Sequence, residues 1–289
     1  MSAEGTEIAV APEPGARPRV GFIGLGQQGA PMARRILDAG HPTTLWARRR
    51  ASLDAFADTG ARFAAGPAEL AADCDVVCVC VVTDADVEEV VTGTGGVLAG
   101  LRGGGVVVVH STVHPDTCRR LGEVAAARGV FVVDAPVSGG GPAAERGALL
   151  VMAGGDADAV EMCRPVFASY ADPIAHMGPL GAGQVAKLLN NVLFTANLAT
   201  AASAVALGRA LGVDADRLAG VLGHGSAASF ALGSVDRAGG TLDGVTAHAG
   251  PLLRKDVRLM ADLAASVNTP TGVVMWAARE AVADLNPHP

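Results

Sequence analysis

The hydrophobic positions of residues 1–180 fall into short apolar runs separated by longer amphipathic stretches. Short continuous runs bounded by glycine or polar residues are typical of strands buried on both faces. Helix-like segments separate several of them, and this alternation predicts a mostly parallel sheet with helices on both faces. The predicted strands are residues 19–23, 42–46, 75–82, 105–110, 130–134, 149–152 and 173–176, and the clearest helices are residues 30–39, 84–91 and 115–128.

The pattern changes after Gly181, where strand-like runs stop and helical periodicity takes over. The first predicted helix of this part, residues 185–211, is roughly 40 Å long at 1.5 Å per residue. A helix of that length can pass from one domain into the middle of the next. Further helices are predicted at residues 215–222, 252–265 and 271–285, with a loop near residues 223–225.

A glycine-rich turn joins the first predicted strand to the first predicted helix. Gly24 permits a tight turn, Gly26 lets a pyrophosphate approach the backbone, and Gly29 lets helix and strand pack closely. The start of the helix then offers amide donors to phosphate. Glycine-rich turns occur in many α/β loops, but this placement near the start of the fold favours a dinucleotide site. The predicted coenzyme-binding residues of the turn are Gly24, Leu25, Gly26, Gln27 and Gln28.

Together these patterns predict an α/β protein with an N-terminal Rossmann dinucleotide-binding domain and an all-α C-terminal domain, joined by a long helix. The expected divisions are a disordered N-terminal extension at residues 1–18, a nucleotide-binding domain at residues 19–180 and a helical domain at residues 181–289. A length of 289 residues is consistent with two domains.

Three consecutive arginines follow the second predicted strand. In NAD-preferring sites an acidic residue about 20 positions beyond the glycines accepts from the ribose 2′-hydroxyl. No acidic residue occurs between the end of the second predicted strand and Asp54, whereas Arg48, Arg49 and Arg50 offer guanidinium groups where a 2′-phosphate would lie. The turn therefore favours NADP, with NAD possible. The alternative is a solvated basic turn.

Polar, glycine-containing loops follow two of the later strands. Ligands of such sheets bind beyond the carboxyl ends of the strands, where residues 111–115 and 134–142 are expected to lie. Ser138 precedes Gly139 and Gly140, whose unshielded amide groups suit a small carboxylate. Each loop is also compatible with an ordinary turn.

The long helix carries a single lysine close to its start. Lys187, Asn190 and Asn191 share one helical face, because positions three and four apart are neighbours. An amine there needs solvent, a partner or a ligand. A solvated surface lysine is the alternative, and the other features of the chain favour a chemical role.

Composition excludes several classes of partner. The net charge of −7 and the pI near 5.5 argue against nucleic acid, since a phosphate backbone requires a basic face. Residues 1–18 have neither the basic start nor the apolar core of a signal peptide. The apolar run at residues 192–207 is interrupted by polar residues and is shorter than the roughly 20 residues a bilayer requires, so no membrane partner is expected.

The five cysteines form no disulfide-scaffold spacing, which favours reduced thiols and a cytoplasmic protein. Cys78 and Cys80 share one face of a predicted strand, where packing is expected and a metal site is not. Small residues along the long helix favour close helix packing and make a homodimer or homotetramer plausible.

From about residue 19 to about residue 283, the chain resembles the β-hydroxyacid dehydrogenase family, which includes 3-hydroxyisobutyrate dehydrogenases, tartronate semialdehyde reductases and glyoxylate/succinic semialdehyde reductases. Several landmarks in the right order are more specific than any one of them. They are the glycine turn with its preceding strand, Ser111-Thr112 with Pro115, residues 134–140, Gly181-Ala182-Gly183 before Lys187 with Asn190-Asn191, and Lys255-Asp256.

The resemblance implies a role for each matching position. It identifies Lys187 as the catalytic lysine, held with the substrate by Asn191. Substrate contacts are implied for Ser111, Ser138, Gly139, Gly140 and, at the substrate-discriminating position, Phe230. Coenzyme contacts are implied for Thr112, Val82 and Lys255, with Arg48 and Arg49 as the adenine-ribose selector. The implied activity is hydride transfer between NADP(H) and a small β-hydroxyacid or its semialdehyde or keto form, so the expected partner is a small carboxylate.

Two residues depart from the family pattern. Gln28 replaces the usual Met, which should leave phosphate binding intact because backbone amides perform it. His110 replaces an Asp before Ser-Thr, either changing the polarity of the pocket or packing at a strand end, and packing is favoured.

Two other functions stay open. Imine reductases share this fold and size but usually lack a lysine at this position. The second open function is a non-catalytic nucleotide-binding module. It is disfavoured because Lys187 and Asn191 occur together with the Ser138-Gly139-Gly140 loop. A 6-phosphogluconate dehydrogenase fits less well, because the helical part is short.

Overall fold

The computed structural model describes residues 17–283, apart from the side chains of residues 246–248. The chain divides into two compact units, Met1–Lys187 and Leu188–Pro289. Most of the predicted N-terminal extension therefore lies outside the described residues.

The first unit is built on one mixed sheet. Its strands are β1 (Val20–Ile23), β2 (Thr43–Trp46), β3 (Arg62–Phe63), β4 (Val76–Val79), β5 (Val106–Val109), β6 (Phe131–Asp134), β7 (Val137–Ser138), β8 (Leu149–Gly154) and β9 (Ala171–Gly178). They follow the order β3-β2-β1-β4-β5-β6-β8-β7, and β9 pairs with β8. The strands from β3 to β6 are parallel, whereas β8 runs antiparallel to β6 and β7.

The central strands form because both of their faces are buried. Val106 and Val108 of β5 pack into one hydrophobic cluster, and Val107 and Val109 pack into a second cluster on the other face. Strands β1 and β4 divide their side chains between the same two clusters. A continuous run of valine is the composition that such a doubly covered parallel strand requires.

Helices connect the strands of this unit. They are α1 (Gly29–Asp38), a 3₁₀ helix (Arg50–Phe56), α2 (Pro67–Ala72), α3 (Asp84–Thr92), α4 (Val97–Gly100), α5 (Pro115–Ala126), α6 (Gly140–Glu145) and α7 (Ala157–Phe167). The sequence pattern did not predict the 3₁₀ helix, α2, α4, α7, β3 or β7. It also assigned residues 134–142 to one loop, which was wrong: α6 begins inside the glycine run, at Gly140.

The second unit is helical. Helix α8 (Ala182–Ala210) enters it from the first unit and is followed by α9 (Ala215–His224), α10 (Phe230–Arg237), α11 (Asp243–Ser266) and α12 (Gly272–Ala283). Leu188 and Val192 of α8 pack in a buried cluster with residues of α11 and α12. Leu198, farther along α8, packs in another with residues of α10 and α11. Helix α10 was not predicted, and α11 begins at Asp243 instead of residue 252.

These elements confirm the predicted α/β class, with a Rossmann-like sheet followed by a helical part. Helix α8 is longer than the apolar run recognised in the sequence. Within residues 17–283 it is the one helix long and apolar enough to cross a membrane, and 39% of its most apolar window is buried. Core helices of soluble proteins pass the same test of length and composition.

Candidate active site

The carboxyl ends of the central parallel strands are aligned in register. Trp46 pairs with Ile23, Ile23 with Val79, Val79 with Val109, and Val109 with Asp134. The segments that follow these residues therefore leave the sheet at one edge. They contain the glycine turn, the arginines, the Ser111-Thr112 pair and the start of the loop before β7, so the edge predicted to bind ligands collects most of the predicted site residues of this unit.

The three glycines of the first turn have the separate properties expected of them. Gly24 has a φ of +99°, and a Cβ built on it would lie 2.1 Å from the Cys80 carbonyl oxygen. A Cβ on Gly29 would lie 2.0 Å from the Gly24 carbonyl oxygen, so helix and turn approach too closely for a side chain. A Cβ on Gly26 would meet no atom within 4 Å. The turn is thus sterically closed at both ends and open in the middle, where a pyrophosphate would approach.

The first turn of α1 is not capped by a side chain. Gln28, the residue before the helix, makes no side-chain hydrogen bond to it, and the first turn holds no acidic residue. The Gln28 amide instead lies 3.7 Å from the Met32 sulfur. Gln28 therefore leaves the backbone amides of the turn available to an anion.

The arginine turn is partly engaged by acidic residues. The Arg48 guanidinium hydrogen-bonds to Asp86 at 2.9 Å and to Glu89 at 3.4 Å, both on α3. The hydrogen bond to Asp86 raises the pKa of Arg48. Arg49 is exposed. The sequence pattern did not reveal the acidic pair, which lies some 40 positions away on another element.

The Ser111-Thr112 segment is tied to the start of α8 by one side chain. Gln184 is fully buried; its Nε2 donates to the Ser111 carbonyl at 2.8 Å, and its Oε1 accepts from the Val113 N–H at 3.1 Å. The Ser111 hydroxyl accepts from the Val81 N–H at 2.9 Å. Val82 follows Val81 in the segment after β4 and is 61% exposed at the same edge of the sheet.

A buried carboxylate caps α8. Asp134, at the end of β6, is fully buried, and its two oxygens accept from the backbone N–H groups of Gly181 at 2.6 Å and Gln184 at 2.7 Å. Burial raises the pKa of Asp134, and these two hydrogen bonds oppose that rise. Gly183 is required here, because a Cβ on it would lie 2.2 Å from the Met152 carbonyl oxygen and 2.8 Å from the carboxylate. The sequence pattern assigned no role to Asp134 or Gln184.

Lys187 follows one turn after this cap. It is buried, with 9% of its surface exposed, so the alternative of a solvated surface lysine is wrong. The structure therefore carries a buried lysine on a helix whose start is fixed to the carboxyl ends of β5 and β6.

The predicted carboxylate loop lies against the glycine turn. Ser138 ends β7, and Gly139 and Gly140 are exposed with φ values of +128° and +73°. A Cβ on Gly141 would lie 2.9 Å from the Gln27 carbonyl oxygen. The predicted substrate loop and coenzyme turn are therefore neighbours within the first unit.

His110 is a packed strand-end residue, as favoured from the sequence. It is 3% exposed; its Nδ1–H donates to the Ala135 carbonyl at 2.6 Å, and its Nε2 accepts from the Tyr170 hydroxyl at 3.0 Å. The carbonyl can only accept, which fixes this tautomer. Burial lowers the pKa of His110 to about 4, so the ring is neutral at pH 7.

In the second unit, one carboxylate links two predicted site residues. The Asn191 amide donates to Asp256 Oδ2 at 2.6 Å, and Lys255 Nζ lies 3.7 Å from Asp256 Oδ1. Asp256 is 4% exposed and orients Asn191 on α8. Phe230, at the start of α10, is 75% exposed and its ring centre lies 5.9 Å from that of Phe194.

Two family models together match nearly the whole described chain. Residues 19–178 match the NAD-binding domain of 6-phosphogluconate dehydrogenase, and residues 181–286 match the NAD-binding domain of NADP-dependent 3-hydroxyisobutyrate dehydrogenase. With the open glycine turn and the aligned strand ends, these matches define a nicotinamide-dinucleotide oxidoreductase.

Individual relatives define the family. The chain is 35% identical over 263 residues to the NAD-dependent L-serine dehydrogenase of Pseudomonas aeruginosa, covering 88% of both chains. It superimposes on the structure of 3-hydroxyisobutyrate dehydrogenase with L-serine from Mycobacterium tuberculosis with a TM-score of 0.83 at 28% identity, covering 94% of this chain and 95% of that chain. The protein belongs to the NAD(P)-dependent β-hydroxyacid dehydrogenase family, as the resemblance implied.

The fold is also shared with an enzyme of another class. The structure of an imine reductase from Pseudomonas sp. superimposes with a TM-score of 0.62 at 18% identity, covering 93% of this chain and 94% of that chain. At this identity the likeness concerns the fold alone.

Proposed function

We propose that the protein transfers a hydride between NADP(H) and a small β-hydroxyacid, or its semialdehyde or keto counterpart, with Lys187 as the general acid and base. The observation that supports this most is the burial of Lys187 one turn after a helix start that Asp134 and Gln184 fix to the sheet edge predicted to bind ligands. Burying a lysine has a desolvation cost, and a chemical role would explain why the chain keeps one in a helix made mostly of apolar residues.

The residues of the first unit fit a dinucleotide. The open position at Gly26 and the uncapped first turn of α1 suit the pyrophosphate, with Leu25, Gln27 and Gln28 completing the turn. Arg48 and Arg49 lie at the end of β2, where guanidinium groups would bind a 2′-phosphate. The other proposed coenzyme contacts are Val82, Thr112 and Lys255. When bound, the nicotinamide supplies the hydride acceptor or donor.

Lys187 would move the proton of the reacting oxygen. In the oxidising direction its neutral amine accepts the hydroxyl proton as hydride leaves; in the reducing direction its ammonium returns that proton. The ammonium also stabilises negative charge developing on the oxygen during reduction. Asn191, oriented by Asp256, would hold the lysine and the substrate.

The substrate carboxylate would bind the loop beside the glycine turn. Gly139 and Gly140 are exposed and have positive φ values, and neither carries a side chain that would shield its amide group from an anion. Ser111 and Ser138 provide hydroxyl groups. Phe230 is the proposed discriminating residue. These groups suit a small carboxylate, and a panel of hydroxyacids of two to five carbons would identify it.

The test is a kinetic comparison of Lys187→Met and Lys187→Ala with the wild type. We expect kcat to fall by about 10²- to 10⁴-fold, with coenzyme Kd within about threefold, since the amine acts on the proton and not on the dinucleotide. Ser203→Ala, at an exposed polar position of the same helix, is the matched control and should retain full activity. Unchanged kcat in the lysine variants would refute the assignment.

A substrate panel separates the competing functions. β-Hydroxyacids and semialdehydes of two to five carbons, assayed by NADPH absorbance with both coenzymes, should show turnover and a preference for NADP. Faster turnover of a cyclic imine than of every hydroxyacid would support the imine reductase alternative. Binding of coenzyme with no turnover on any substrate would support the non-catalytic alternative.

We also propose a cytoplasmic homodimer or homotetramer. Support comes from exposed apolar side chains on α8, where Leu189, Leu193 and Leu207 are 54%, 54% and 61% exposed. Light scattering on the purified protein tests the assembly, and a monomer at micromolar concentration would contradict it.

A further inference from the structure

Arg48 differs from Arg49 and Arg50 because carboxylates bind its guanidinium group. Its guanidinium contacts Asp86 at 2.9 Å and Glu89 at 3.4 Å while remaining 62% exposed. Arg49 and Arg50 are exposed, and within residues 17–283 their side chains make no ion pair. The arginine closest to β2 is therefore the one whose charge is already partly neutralised.

The two carboxylates are held differently. Asp86 uses one oxygen for Arg48 and the other for the capping box of α3, where it accepts from the Thr83 hydroxyl at 2.6 Å and the Thr83 N–H at 3.1 Å. Its position is fixed by the helix start. Glu89 has a side chain that is 73% exposed, with Arg48 as its ion-pair partner.

We propose that Glu89, together with Asp86, competes with the coenzyme 2′-phosphate for Arg48 and so limits the preference for NADP over NAD. The inference rests on the proposed function for its coenzyme. Carboxylate and phosphate bind the same guanidinium donors, so a fork engaged by two carboxylates is less available to phosphate. The carboxylates also repel a group carrying nearly two negative charges.

Exposed ion pairs are weak, which sets the size of the effect. Losing one such pair changes an equilibrium by up to about fivefold. Glu89→Gln should therefore tighten binding of a 2′-phosphate ligand by about two- to fivefold. The gain should shrink as salt is raised, because exposed charges are screened.

The chain offers a matched control one residue away. Glu88 lies on the same helix but pairs with Arg120 at 2.6 Å. Glu88→Gln makes the same change in net charge without touching Arg48. Asp86 is left intact in this design, because its replacement would also remove the cap of α3.

The test measures binding calorimetrically, without turnover. The probes are adenosine 2′,5′-bisphosphate, which carries the 2′-phosphate, and 5′-AMP, which lacks it. Glu89→Gln should tighten the first probe by about two- to fivefold at low salt and leave the second unchanged, while Glu88→Gln changes neither. Arg48→Gln should weaken the first probe and abolish the effect of Glu89→Gln in the double variant. The ratio of kcat/KM for NADP and NAD should follow the same order.

Distinct results overturn the inference. Equal tightening in Glu88→Gln and Glu89→Gln would assign the effect to net charge. Loss of discrimination in Arg49→Gln but not in Arg48→Gln would move the phosphate contact to Arg49. If the Kd of adenosine 2′,5′-bisphosphate is the same in Glu89→Gln and in the wild type, this inference alone is refuted. If both probes and both coenzymes fail to bind, the proposed function is refuted as well.

Discussion

The carboxylate of Asp134 accepts the backbone N–H of Gln184 at 2.7 Å, joining the end of β6 to the first turn of α8. Its other oxygen accepts from Gly181 at 2.6 Å. A hydrogen bond to a charged acceptor contributes about 1.5–3 kcal/mol, more than a neutral one. Asp134 is therefore a positioning residue for the helix that carries Lys187.

Asp134→Asn should lower kcat more than it lowers coenzyme affinity. The amide retains one acceptor and turns a donor toward a backbone N–H, so the helix start shifts and Lys187 shifts with it. We expect kcat to fall about tenfold or more, since small displacements of a catalytic group have effects of that order. Coenzyme Kd should stay within about threefold, because the glycine turn is untouched.

Asp156→Ala, which removes the cap of another helix, is the control for that variant. Asp156 caps α7 by accepting from the backbone N–H groups of Asp158 and Ala159 at 3.0 and 3.1 Å, and both of these donors lie in α7 itself. It should lower the Tm and leave kcat unchanged. Equal losses of kcat in the two variants would show that Asp134 acts only through general stability.

Gly24→Ala and Gly26→Ala should fail in different ways. At Gly24 the new Cβ meets the Cys80 carbonyl and the φ of +99° is strained, so we expect a loss of about 1–3 kcal/mol in the free energy of unfolding. At Gly26 the Cβ points into open space, so stability should be retained while coenzyme Kd rises about tenfold or more. Chemical denaturation and coenzyme titration of both variants check this. Normal coenzyme affinity in Gly26→Ala would contradict the pyrophosphate assignment.

Burial of His110 should make the protein less stable in mild acid. Its pKa is about 4 in the folded chain and about 6.5 in the unfolded chain, so between these pH values only the unfolded chain binds the proton. The contribution of His110 to the free energy of unfolding is complete above pH 6.5, falls as the pH drops toward 4, and stays constant below pH 4. The free energy of unfolding that is lost over this range is on the order of 3 kcal/mol.

The variant that isolates this effect is His110→Asn/Tyr170→Phe. Its amide can still donate to the Ala135 carbonyl, and no tyrosine hydroxyl is left unpaired. The pH dependence of its unfolding free energy between pH 6.5 and 4 should be shallower than that of the wild type. Tyr170→Phe alone keeps the histidine and should keep the steep dependence. Equal slopes in all three proteins would contradict a buried neutral His110.

The thiols should be inert in the folded protein. Cys74, Cys78, Cys118 and Cys163 are buried, and burial raises the pKa of Cys74 and of the half-buried Cys80 to about 12. Because the thiolate is the reactive form, a thiol reagent at pH 8 should modify none of the five cysteines rapidly in the folded protein. In denaturant the same reagent should modify all five. Rapid modification of a native thiol would contradict this burial.

The fold was predictable where burial leaves a regular pattern. The valines of β5 are covered on both faces and read as an unbroken apolar run, and α8 shows long helical periodicity. Short elements gave no such pattern. Helix α6 is six residues long and begins with glycines, which ordinarily end helices, so only tertiary packing stabilises it. Helix α10 did have a signal, because Ser229 caps it through a hydrogen bond from Leu232.

The sequence predicted the residues of the site better than it predicted the contacts that orient them. Lys187 and the glycines stand out by type and spacing. The contacts that orient them join distant positions: Asp134 reaches Gln184, Arg48 reaches Glu89, and Asn191 reaches Asp256. Asp134 did give a hint, since a carboxylate directly after buried valines must find donors. Nothing in the linear chain specifies which donors those are.

Tyr170 is the chain's one tyrosine, and its ring lies fully buried between His110 and Phe167. Isotope labelling of tyrosine would therefore give a single ring signal from the interior of the nucleotide-binding sheet. The protein thus contains its own site-specific spectroscopic reporter, through which packing near β5 can be followed during unfolding or coenzyme titration without introducing a foreign label.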